Sequence, residues 1–475
     1  MSLFRKWLLL ILVAVIFSLI LFRQNISAKV SVQDEIPNWI EWNEQTIETE
    51  NETILSINSK RLIVKNEMTG LYWQSDKEFF VQDVLSTNLD SDADEEIIVL
   101  LWKRGKYGKH RPFWITDADN SYSQHIFIYD IENDRVSQKW CTSELGRVIK
   151  RMKVMEKNNA IILFEDTDGN NTLWCWQGFG LKNIDNSVKI IAFGDNIIHK
   201  SIYEYAFNFK NGNFDFLYEP YKEEIAKADI SAIQAETILV DKKEAVSGYP
   251  SFGSPIEVGD SIAKAGFDIV SCANNHCLDK GITGINTSTD FYEENGLICV
   301  GIQNSRDTQY KPYKIIKRNG ISFAVFSYTY GTNTINAVNK YPYVVHYLPN
   351  SNTEESEFVK EIKEAGMEAD FIIVFVHWGE EYSDKISNEQ ERITKLFKEA
   401  NVDVVIGTHP HVIQDVKMIK RADNKNMLVY YSLGNFVSGK MKNKRANIGG
   451  EAVFTVEYTY EGVKIKDYEM KILHF

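Results

Sequence analysis

Residues 402–411 read VDVVIGTHPH, a short run of mainly β-branched residues that ends on two histidines. Runs of this kind are typical of strands buried on both faces of a parallel sheet. The chain contains six such apolar runs, at residues 188–194, 230–235, 267–273, 371–376, 402–408 and 427–433. They end, in that order, at Asp195; at Glu236; at Asn274, Asn275 and His276; at His377; at His409 and His411; and at Gly434 and Asn435. Because ligands bind outside the carboxyl ends of strands in open α/β sheets, we expect one rim to gather these side chains.

Each run taken singly has an ordinary explanation, because Asp, Asn and Gly are also the residues that favour turns after strands. Histidine is not a favoured turn residue, and the chain has only 9 histidines in 475 residues. Four of those histidines nevertheless end such runs. Imidazole, carboxylate and amide groups together suit a divalent ion of the Zn, Mn or Fe type. Such an ion could polarise a phosphoryl oxygen, so the pattern indicates a functional rim.

The composition indicates a globular chain, with 44% hydrophobic and 25% charged residues. Its length suggests about two or three domains. There are 53 Lys and Arg residues against 66 Asp and Glu residues, which gives a net charge of -13. Nucleic acid is therefore not an expected partner, because binding its phosphate backbone requires a basic face.

Five cysteines are too few to indicate a disulfide framework in an exported chain. They are Cys141, Cys175, Cys272, Cys277 and Cys299. Cys272 and Cys277 flank residues 274–276 and are chemically able to bind a metal. Cys272 lies within an apolar run, however, and a small buried thiol is the more common explanation of such a residue.

The N-terminus predicts a membrane-targeting segment over residues 1–28. Arg5 and Lys6 precede the apolar residues 7–22, and Arg23 follows them. A helix of that length covers about 24 Å, against a hydrocarbon core of about 30 Å. Both a signal peptide and a signal anchor fit. Ala28 is only a fair cleavage site, so we favour a single-pass anchor with Arg5 and Lys6 inside and the remaining chain extracellular. Cleavage would make the protein secreted.

Residues 29–186 predict a small all-β domain. Strand-like runs occur at residues 61–65, 71–73, 79–84 and 97–102, and again at 125–129, 136–140, 148–154 and 160–164. The second set repeats the first at an offset of about 64 residues, which predicts two blade-like units of four strands each. A domain of this sort more often binds or positions another molecule than catalyses a reaction.

An alternating acidic stretch precedes one of these strands. It comprises Asn88, Asp90, Asp92, Asp94 and Glu96. Oxygen ligands at every second position suit Ca²⁺, and the spacing resembles the calcium loops of integrin-like blade repeats. The stretch lacks a central glycine, and a solvated acidic turn explains it equally well.

Residues 187–475 predict an α/β domain, because strand-like runs alternate there with helical periods. Helical apolar stripes occur at residues 258, 262 and 265, at 358, 362 and 365, and at 393, 396, 397 and 400. In the last of these helices, Glu389 and Glu391 precede the stripe and Lys398 lies near its end, which complements the helix dipole. Residues 451–460 and 463–472 predict two closing antiparallel strands.

The order of motifs resembles the CapA-like proteins of poly-γ-glutamate capsule synthesis, which share the calcineurin-like metallophosphatase fold. The resemblance rests on GD at 194–195, AET at 235–237, ANNH at 273–276 with Leu278, Asp279 and Gly281, HWGEEY at 377–382, GTHPH at 407–411 and YSLGNF at 431–436. It implies a four-layer, metallophosphoesterase-like α/β sandwich for residues 187–475.

The resemblance also implies roles for the residues of the rim. Asp195 and His411 would hold one metal ion, Asn275, His377 and His409 would hold a second, and Glu236 would bridge them. Asp195 and His276 would be catalytic, with His276 as the general acid. The expected cofactor is therefore one or two Mn, Zn or Fe ions.

The same motifs supply supporting residues. We expect Glu380 and Glu381 to orient His377 or to contact a polymer, since carboxylates commonly fix a ligating ring. Asn274, Asp279 and Asn435 are expected to support the ligands or to form turns.

The chain departs from the metallophosphatase pattern at one position. Those proteins usually carry a histidine two residues after the first aspartate, and here Ile197 occupies that position. The first metal site is therefore expected to be short of one ligand, with His199 as a candidate substitute. A single ion and a dinuclear centre both remain open.

Three functions follow from these features. The first is a membrane-anchored extracellular protein that uses a metal centre in biosynthesis or export of a capsule polymer of the poly-γ-glutamate type. Its partners would be the anionic polymer, the membrane and components of the polymer synthase. The second is an extracellular metal-dependent phosphoesterase, and the third is a non-catalytic envelope scaffold. As an enzyme, the protein would be a hydrolase or transferase of metallophosphoesterase type.

Overall fold

The computed structural model describes residues 35–40, 42, 44–49, 51–92, 94–108, 112–116, 119–156, 160–334 and 340–474. The chain divides into two compact units, Met1–Ile184 and Asp185–Phe475. The predicted anchor at residues 1–28 lies outside the described residues. Among the residues described, no helix combines the length and the apolar character needed to span a bilayer.

In the part of the first unit that the structure describes, there are three antiparallel sheets of four strands each. The first sheet comprises β1 (Gln45–Glu48), β2 (Ile54–Asn58), β3 (Arg61–Asn66) and β4 (Leu71–Gln74). The second comprises β5 (Phe80–Thr87), β6 (Glu96–Arg104), β7 (Tyr122–Glu132) and β8 (Arg135–Cys141). The third comprises β9 (Ile149–Glu156), β10 (Ile161–Asp166), β11 (Asn171–Gln177) and β12 (Gly180–Ile184).

The middle sheet is buried on both faces. In β6, Ile97 and Val99 pack into a core shared with the first sheet. Ile98 and Leu100, which alternate with them, pack into a core shared with the third sheet. This two-sided burial follows from the period of two along a strand, and it explains why β6 reads as an unbroken apolar run.

The prediction of two blade-like units is wrong. The described residues form three four-stranded sheets. The first predicted set joins strands of two different sheets, because β3 and β4 belong to the sheet of β1 and β2, whereas β5 and β6 belong to the next sheet. Strands β1, β2, β11 and β12 were not predicted. Polar residues interrupt the apolar ones along β1 and β2, so these strands lack the dense apolar run by which the others were recognised.

The second unit is a mixed α/β structure with two large sheets. One sheet has the order β18-β17-β14-β13-β26-β27, with β25 beside β13, and the other has the order β19-β20-β21-β22-β24-β23. The strands of the first are β13 (Ser187–Asn196), β14 (Ile230–Ala235), β17 (Ile269–Ser271), β18 (Ile298–Val300), β25 (Asn435–Val437), β26 (Ile448–Thr459) and β27 (Gly462–His474). Those of the second are β19 (Tyr313–Arg318), β20 (Ile321–Thr329), β21 (Phe371–His377), β22 (Val404–Thr408), β23 (Val416–Lys420) and β24 (Asn426–Tyr430). A separate pair consists of β15 (Leu239–Val240) and β16 (Ser254–Pro255).

The α-helices of this unit connect the strands. They are α1 (Lys200–Phe209), α2 (Lys222–Ile225), α3 (Ile256–Ala265), α4 (Gly281–Glu294), α5 (Asn352–Ala365) and α6 (Asn388–Glu399). Three of them, α3, α5 and α6, confirm the helices predicted from apolar stripes. Likewise β26 and β27 confirm the predicted closing strands, which pair in antiparallel fashion.

Helices cover the outer faces of the two sheets. Helices α3 and α4 share a core with β14 and β17. Helices α5 and α6 share a second core with β21 and β22. The sheets face each other, because the Ser271 and Ser327 hydroxyls are 2.9 Å apart and the Tyr430 hydroxyl donates to the Val453 carbonyl at 3.1 Å. The carboxyl ends of the parallel strands of both sheets therefore approach one another.

Candidate metal centre

The structure brings the six predicted metal ligands together at the carboxyl ends of five strands. Asp195 lies at the end of β13 and Glu236 follows β14. Asn275 follows β17, His377 ends β21, and His409 and His411 follow β22. All six side chains are buried, and Asp195, Glu236 and His377 are each no more than 1% exposed.

His377 is at the centre of one group of ligand atoms. Its Nε2 lies 3.1 Å from Asn275 Oδ1 and 3.1 Å from His409 Nδ1. Atoms bound at about 2.1 Å to one ion are separated by about 3.0–3.4 Å in octahedral or tetrahedral geometry. His377 Nε2 therefore already has the spacing of a ligand pair with each of the other two atoms, and the three residues are the set that the resemblance assigns to the second metal.

Glu236 lies between this group and His411. Its Oε1 is 3.8 Å from His377 Nε2 and 3.6 Å from His411 Nε2. Glu236, His409 and His411 each offer a ligand atom, and those atoms lie within 4.8 Å of one another. Asp195 completes the rim, since its Oδ2 is 3.4 Å from His411 Nδ1 and accepts the His409 backbone N–H at 3.1 Å.

Two buried carboxylate oxygens support the assignment of a cation to this rim. Asp195 Oδ1 and Glu236 Oε2 have no hydrogen-bond partner among the described residues. A buried polar atom without a partner costs free energy, and an unpaired buried charge costs more. A divalent cation would satisfy both oxygens, so the residues present fit such an ion.

The pKa shifts of the rim have two physical causes. Burial, followed by the negative charge of Asp195, raises the pKa of Glu236 well above its ordinary value. Burial lowers the pKa of His411, but the charges of Glu236 and Asp195 raise it more, to a net pKa of about 10. Burial lowers the pKa of His409 to about 3, and the positive charge of His411 adds to that effect. The raised pKa of His411 reflects the same negative charges that would attract a bound cation.

Two asparagines support the ligands, as expected. Asn435 Oδ1 lies 3.0 Å from His411 Nδ1, and its Nδ2 donates to the Ala446 carbonyl at 2.8 Å. Asn274 Nδ2 donates to the Ala235 carbonyl at 2.8 Å, while Asn274 Oδ1 accepts the His276 N–H at 2.9 Å. Asn435 thus orients a ligand ring, and Asn274 fixes the turn that carries Asn275 and His276.

His276 and Asp279 form a buried pair beside the rim. His276 Nδ1 lies 2.7 Å from Asp279 Oδ2, which also accepts the Phe252 N–H at 2.7 Å. The Phe252 ring packs edge to face against the imidazole, with the ring centroids 4.7 Å apart. With Nδ1 bonded to the carboxylate, Nε2 is the ring nitrogen that remains for proton transfer.

The expectation that Glu380 or Glu381 orients His377 is wrong. Both glutamates are exposed, and the partner of His377 Nδ1 is the Thr408 hydroxyl at 3.0 Å. Thr408 is opposite His377 in the parallel pairing of β21 with β22. The sequence carried this signal in the GTHPH motif, where the threonine directly precedes the first ligand. Contact of the glutamates with a polymer stays a prediction.

Sequence reasoning also missed Tyr330. It follows β20, which is parallel to β21, and its ring centroid lies 4.7 Å from that of His409. Its ring is also nearly parallel to that of His377, with an interplanar angle of 12°. The strand before Tyr330 ends on Ser, Tyr and Thr, and none of these is a typical metal ligand.

Ile197, His199 and the cysteines near the rim all have contacts other than a metal site. Ile197 is buried, and its N–H donates to the Val437 carbonyl at 2.7 Å. His199 Nδ1 accepts the Gly439 N–H at 2.9 Å, so that nitrogen is not free for a metal ion. Cys272 Sγ is 3.6 Å from Cys299 Sγ, and burial raises the pKa of Cys277 to about 12, as expected for buried thiols.

The acidic stretch in the first unit gathers three of its five predicted calcium ligands. Asp90, Asp92 and Glu96 offer oxygens within 4.8 Å of one another. The Lys139 ammonium contacts Glu96 and lies 2.9 Å from Asp90, so a side chain already supplies positive charge there. Asn88 and Asp94 contribute hydrogen bonds within the turn. Calcium binding stays a prediction.

Two curated relatives match parts of this chain. The capsule biosynthesis protein CapA of Bacillus anthracis is 32% identical over 184 residues, which are 38% of this chain and 42% of that protein. The PGA biosynthesis protein CapA of Bacillus subtilis (strain 168) is 29% identical over 171 residues, 36% of this chain and 42% of that protein. The chain thus matches less than half the length of these relatives.

Two solved structures were also similar over part of the chain. One is a hypothetical protein from Thermus thermophilus, with a TM-score of 0.35, 14% identity and coverage of 60% of this chain and 99% of that chain. The other is the calcineurin-like phosphoesterase YfkN from Bacillus subtilis, with a TM-score of 0.34, 13% identity and coverage of 61% and 90%.

The family comparison covers the whole candidate centre. The family model "Bacterial capsule synthesis protein PGA_cap" matches residues 189–440. That range exceeds half of the 475 residues and includes every residue of the rim, from Asp195 to Asn435. The chain therefore belongs to the PGA_cap family of bacterial capsule synthesis proteins.

Proposed function

We propose that this chain acts in the biosynthesis or export of an anionic capsule polymer of the poly-γ-glutamate type, through a divalent metal centre. The observation that carries the proposal is the pair of orphaned buried oxygens, Asp195 Oδ1 and Glu236 Oε2, beside histidines with ligand spacing. Membership of a capsule synthesis family supports a capsule polymer as the molecule acted on, and so do the names of the two curated relatives.

Each residue of the rim has a distinct part in this proposal. Asn275, His377 and His409 would hold one ion, Asp195 and His411 would contribute to a second position, and Glu236 would bridge the two. The ion would supply Lewis-acid polarisation of an electrophilic oxygen in the substrate. This arrangement accords with a metallophosphoesterase-like fold, and Mn, Zn and Fe all suit the mixed nitrogen and oxygen ligands.

His276 would act as the general acid. Asp279 accepts from Nδ1 at 2.7 Å and so fixes the ring and its tautomer. The Nε2 position would then donate a proton to the leaving atom of the substrate. Asp279 acts through His276 and is a positioning residue.

The proposal includes a place in the cell. Residues 1–28 would anchor the chain in the membrane, with the second unit outside, where a capsule polymer is assembled. Synthase components at the membrane would be its neighbours. Protease treatment of intact cells tests this location, because an extracellular unit is digested and an internal one is protected.

The test of the function uses cells in which this chain is the only capsule protein of its family. Asn275→Ala removes an oxygen of the proposed site, so we expect less polymer or shorter chains, measured by size-exclusion chromatography of the capsule fraction. Asn286→Ala, in α4, is the matched control. Normal polymer in the Asn275→Ala cells would remove the catalytic part of the proposal.

A metal-dependent phosphoesterase is the second candidate function. The His276–Asp279 pair favours it, because an acid beside a metal centre suits departure of an alkoxide from phosphorus. Hydrolysis of an aryl phosphate that requires added Mn²⁺ and is lost in Asn275→Ala would support this candidate. No turnover of any phosphate ester would exclude it.

A further inference from the structure

A basic segment lies beside the rim. Residues 440–445, which follow β25, contain Lys440, Lys442, Lys444 and Arg445 in a chain whose net charge is -13. The three lysines are exposed, whereas the residues between them, Met441 and Asn443, are half-buried. The ammonium groups therefore project into solvent while the alternate side chains hold the segment against the protein.

The positive charge of the segment is largely uncompensated. Lys440, Lys442 and Lys444 form no ion pair with any described residue. Arg445 pairs with Asp384 and donates to the Tyr382 carbonyl at 3.4 Å. The arginine thus neutralises the neighbouring aspartate and fixes one end of the segment, and three free cations remain.

Hydrogen bonds hold the residues on both sides of the segment, and those at its end reach the proposed metal centre. At its start, the Gly439 N–H donates to His199 Nδ1 at 2.9 Å. At its end, the Ala446 carbonyl accepts from Asn435, whose Oδ1 contacts His411. The segment is therefore two hydrogen bonds away from a proposed ligand.

Internal hydrogen bonds fix the shape of the segment. The Met441 N–H donates to Asn447 Oδ1 at 2.9 Å, and Asn447 Nδ2 donates back to the Met441 carbonyl at 3.1 Å. Asn443 Oδ1 accepts the Arg445 N–H at 3.1 Å. The lysines are consequently presented from a held backbone rather than from a free tail.

The turn that follows the proposed ligand His377 is negatively charged. Glu380 and Glu381 are exposed on the turn after β21. A negatively charged ligand would be repelled there and attracted by the lysines. Fields of this kind steer charged ligands toward a site.

We propose that the basic segment is the binding track for a linear polycarboxylate, the chemistry of poly-γ-glutamate, and that it leads the polymer to the rim. This inference rests on the proposed function and deepens it by locating polymer contacts outside the metal site. A polymer with one carboxylate per repeat can engage three ammonium groups at once, so weak individual contacts add up. The family match ends at residue 440, so most of the track is not part of the family pattern.

The experiment measures binding of fluorescently labelled poly-γ-glutamate to the full chain by anisotropy. The test variant is K440Q/K442Q/K444Q, and the control variant is K363Q/K395Q/K398Q, which removes the same charge. The control lysines lie near the C-terminal ends of α5 and α6. Those ends lead into the next parallel strand and so lie at the sheet edge opposite the rim.

We expect the test variant to bind the polymer about tenfold more weakly at about 0.15 M salt, with a reduced salt dependence, and the control to bind like the wild type. Equal affinity of wild type and test variant would overturn the proposal, as would equal weakening in both variants. Linear polyphosphate serves as a second probe. If it binds as tightly and with the same loss, the track recognises charge alone and the polycarboxylate assignment is wrong.

Metal content of the same samples separates this inference from the proposed function. A test variant that retains metal but loses polymer affinity supports the track. A wild type without metal that still binds the polymer through these lysines would refute the metal centre and leave the track standing.

Discussion

At the scale of single residues, the candidate centre contains buried carboxylates that are incompletely paired in the absence of a cation. Asp195 and Glu236 are buried, and each has an oxygen without a partner in the described structure. His411 has a pKa of about 10 because these carboxylates outweigh its burial. Such an arrangement is costly for folding alone, and the proposed ion would offset that cost.

We expect Asn435→Ala to weaken metal binding about 10- to 100-fold, because the substitution removes the hydrogen bond that orients His411. Competition with a chromogenic chelator measures the affinity. Asn286→Ala is the control, since Asn286 also makes two hydrogen bonds, both to Ser305 at 2.9 Å, and has no contact with the rim. Equal losses in the two variants would mean that Asn435 has only a structural role.

The clustering of the proposed ligands was predictable from the sequence because each stands within a few residues of the end of an apolar run. The residues that contact and orient these ligands were harder to predict. Thr408 and Tyr330 reach the histidines through the pairing of β20, β21 and β22, and pairing between distant strands is not visible in local spacing. The two glutamates after His377 were misjudged for the same reason, since nearness in sequence did not bring their side chains to the ring.

At the scale of elements, the close approach of β13 and β25 positions Asp195. The Asp195 N–H donates to the Gly434 carbonyl at 2.9 Å, and the two strands can approach this closely because residue 194 is glycine. A Cβ atom at Gly194 would lie 2.0 Å from the Gly434 carbonyl oxygen. The glycine of the first motif is therefore a packing requirement.

We expect Gly194→Ala to lower the free energy of unfolding by about 3 kcal/mol or more, because the backbone oxygen cannot move aside as a flexible side chain can. Denaturant titration measures the loss. In Gly146→Ala the added methyl group meets nothing within 4 Å, so a change below about 0.5 kcal/mol is expected. A Gly194→Ala protein as stable as the wild type would contradict this account of the strand contact.

Helix α5 carries a carboxyl group with a pH-dependent effect on stability. Burial raises the pKa of Glu361 to about 7, and Glu361 Oε1 accepts the Tyr328 hydroxyl at 2.9 Å. The folded state therefore binds the proton more tightly than the unfolded chain, whose pKa is about 4.3. The stabilising contribution is complete below the lower value and is lost as the pH rises toward 7.

Glu361→Gln keeps an acceptor for Tyr328 and removes the charge. We expect it to increase the free energy of unfolding by about 1–3 kcal/mol near pH 8, with a smaller difference near pH 5. Chemical denaturation at both pH values measures this. Glu357→Gln, at an exposed position of the same helix, should have no such effect. Destabilisation by Glu361→Gln near pH 8 would show that the sign is wrong.

The elements that were predicted from the sequence were those with a long apolar run or a clear helical stripe. In the second unit the predicted elements are the strands β13, β14, β17, β21, β22, β24, β26 and β27 and the helices α3, α5 and α6, whereas β18, β19, β20, β23, α1 and α4 were not predicted. In the first unit, β1, β2, β11 and β12 were not predicted either, and the grouping into two repeats failed. A meander is defined by which neighbours pair, and a repeat offset in sequence does not report that pairing.

At the scale of the whole molecule, the chain is divided into two compact units, and the proposed metal ligands all belong to the second. A ligand stabilises the unit that binds it by mass action. The first unit should therefore be insensitive to transition metals.

We expect calorimetry of the full chain to show two unfolding transitions, of which a chelator lowers only one. Mass spectrometry of hydrogen exchange would assign the affected transition to residues 185–475. Calcium is to be omitted, so that the acidic turn around Asp90 does not contribute. A chelator effect on both transitions, or on that of the first unit alone, would contradict this division.

The most direct measurement is elemental analysis of the full chain purified without chelator, together with His409→Ala and the exposed-site control His474→Ala. We expect about one or two transition-metal ions per chain in the wild type and in His474→Ala, and a marked loss in His409→Ala. No transition metal in the wild type, or an undiminished content in His409→Ala, would contradict the metal centre. The protein would then be better described as a non-catalytic envelope scaffold.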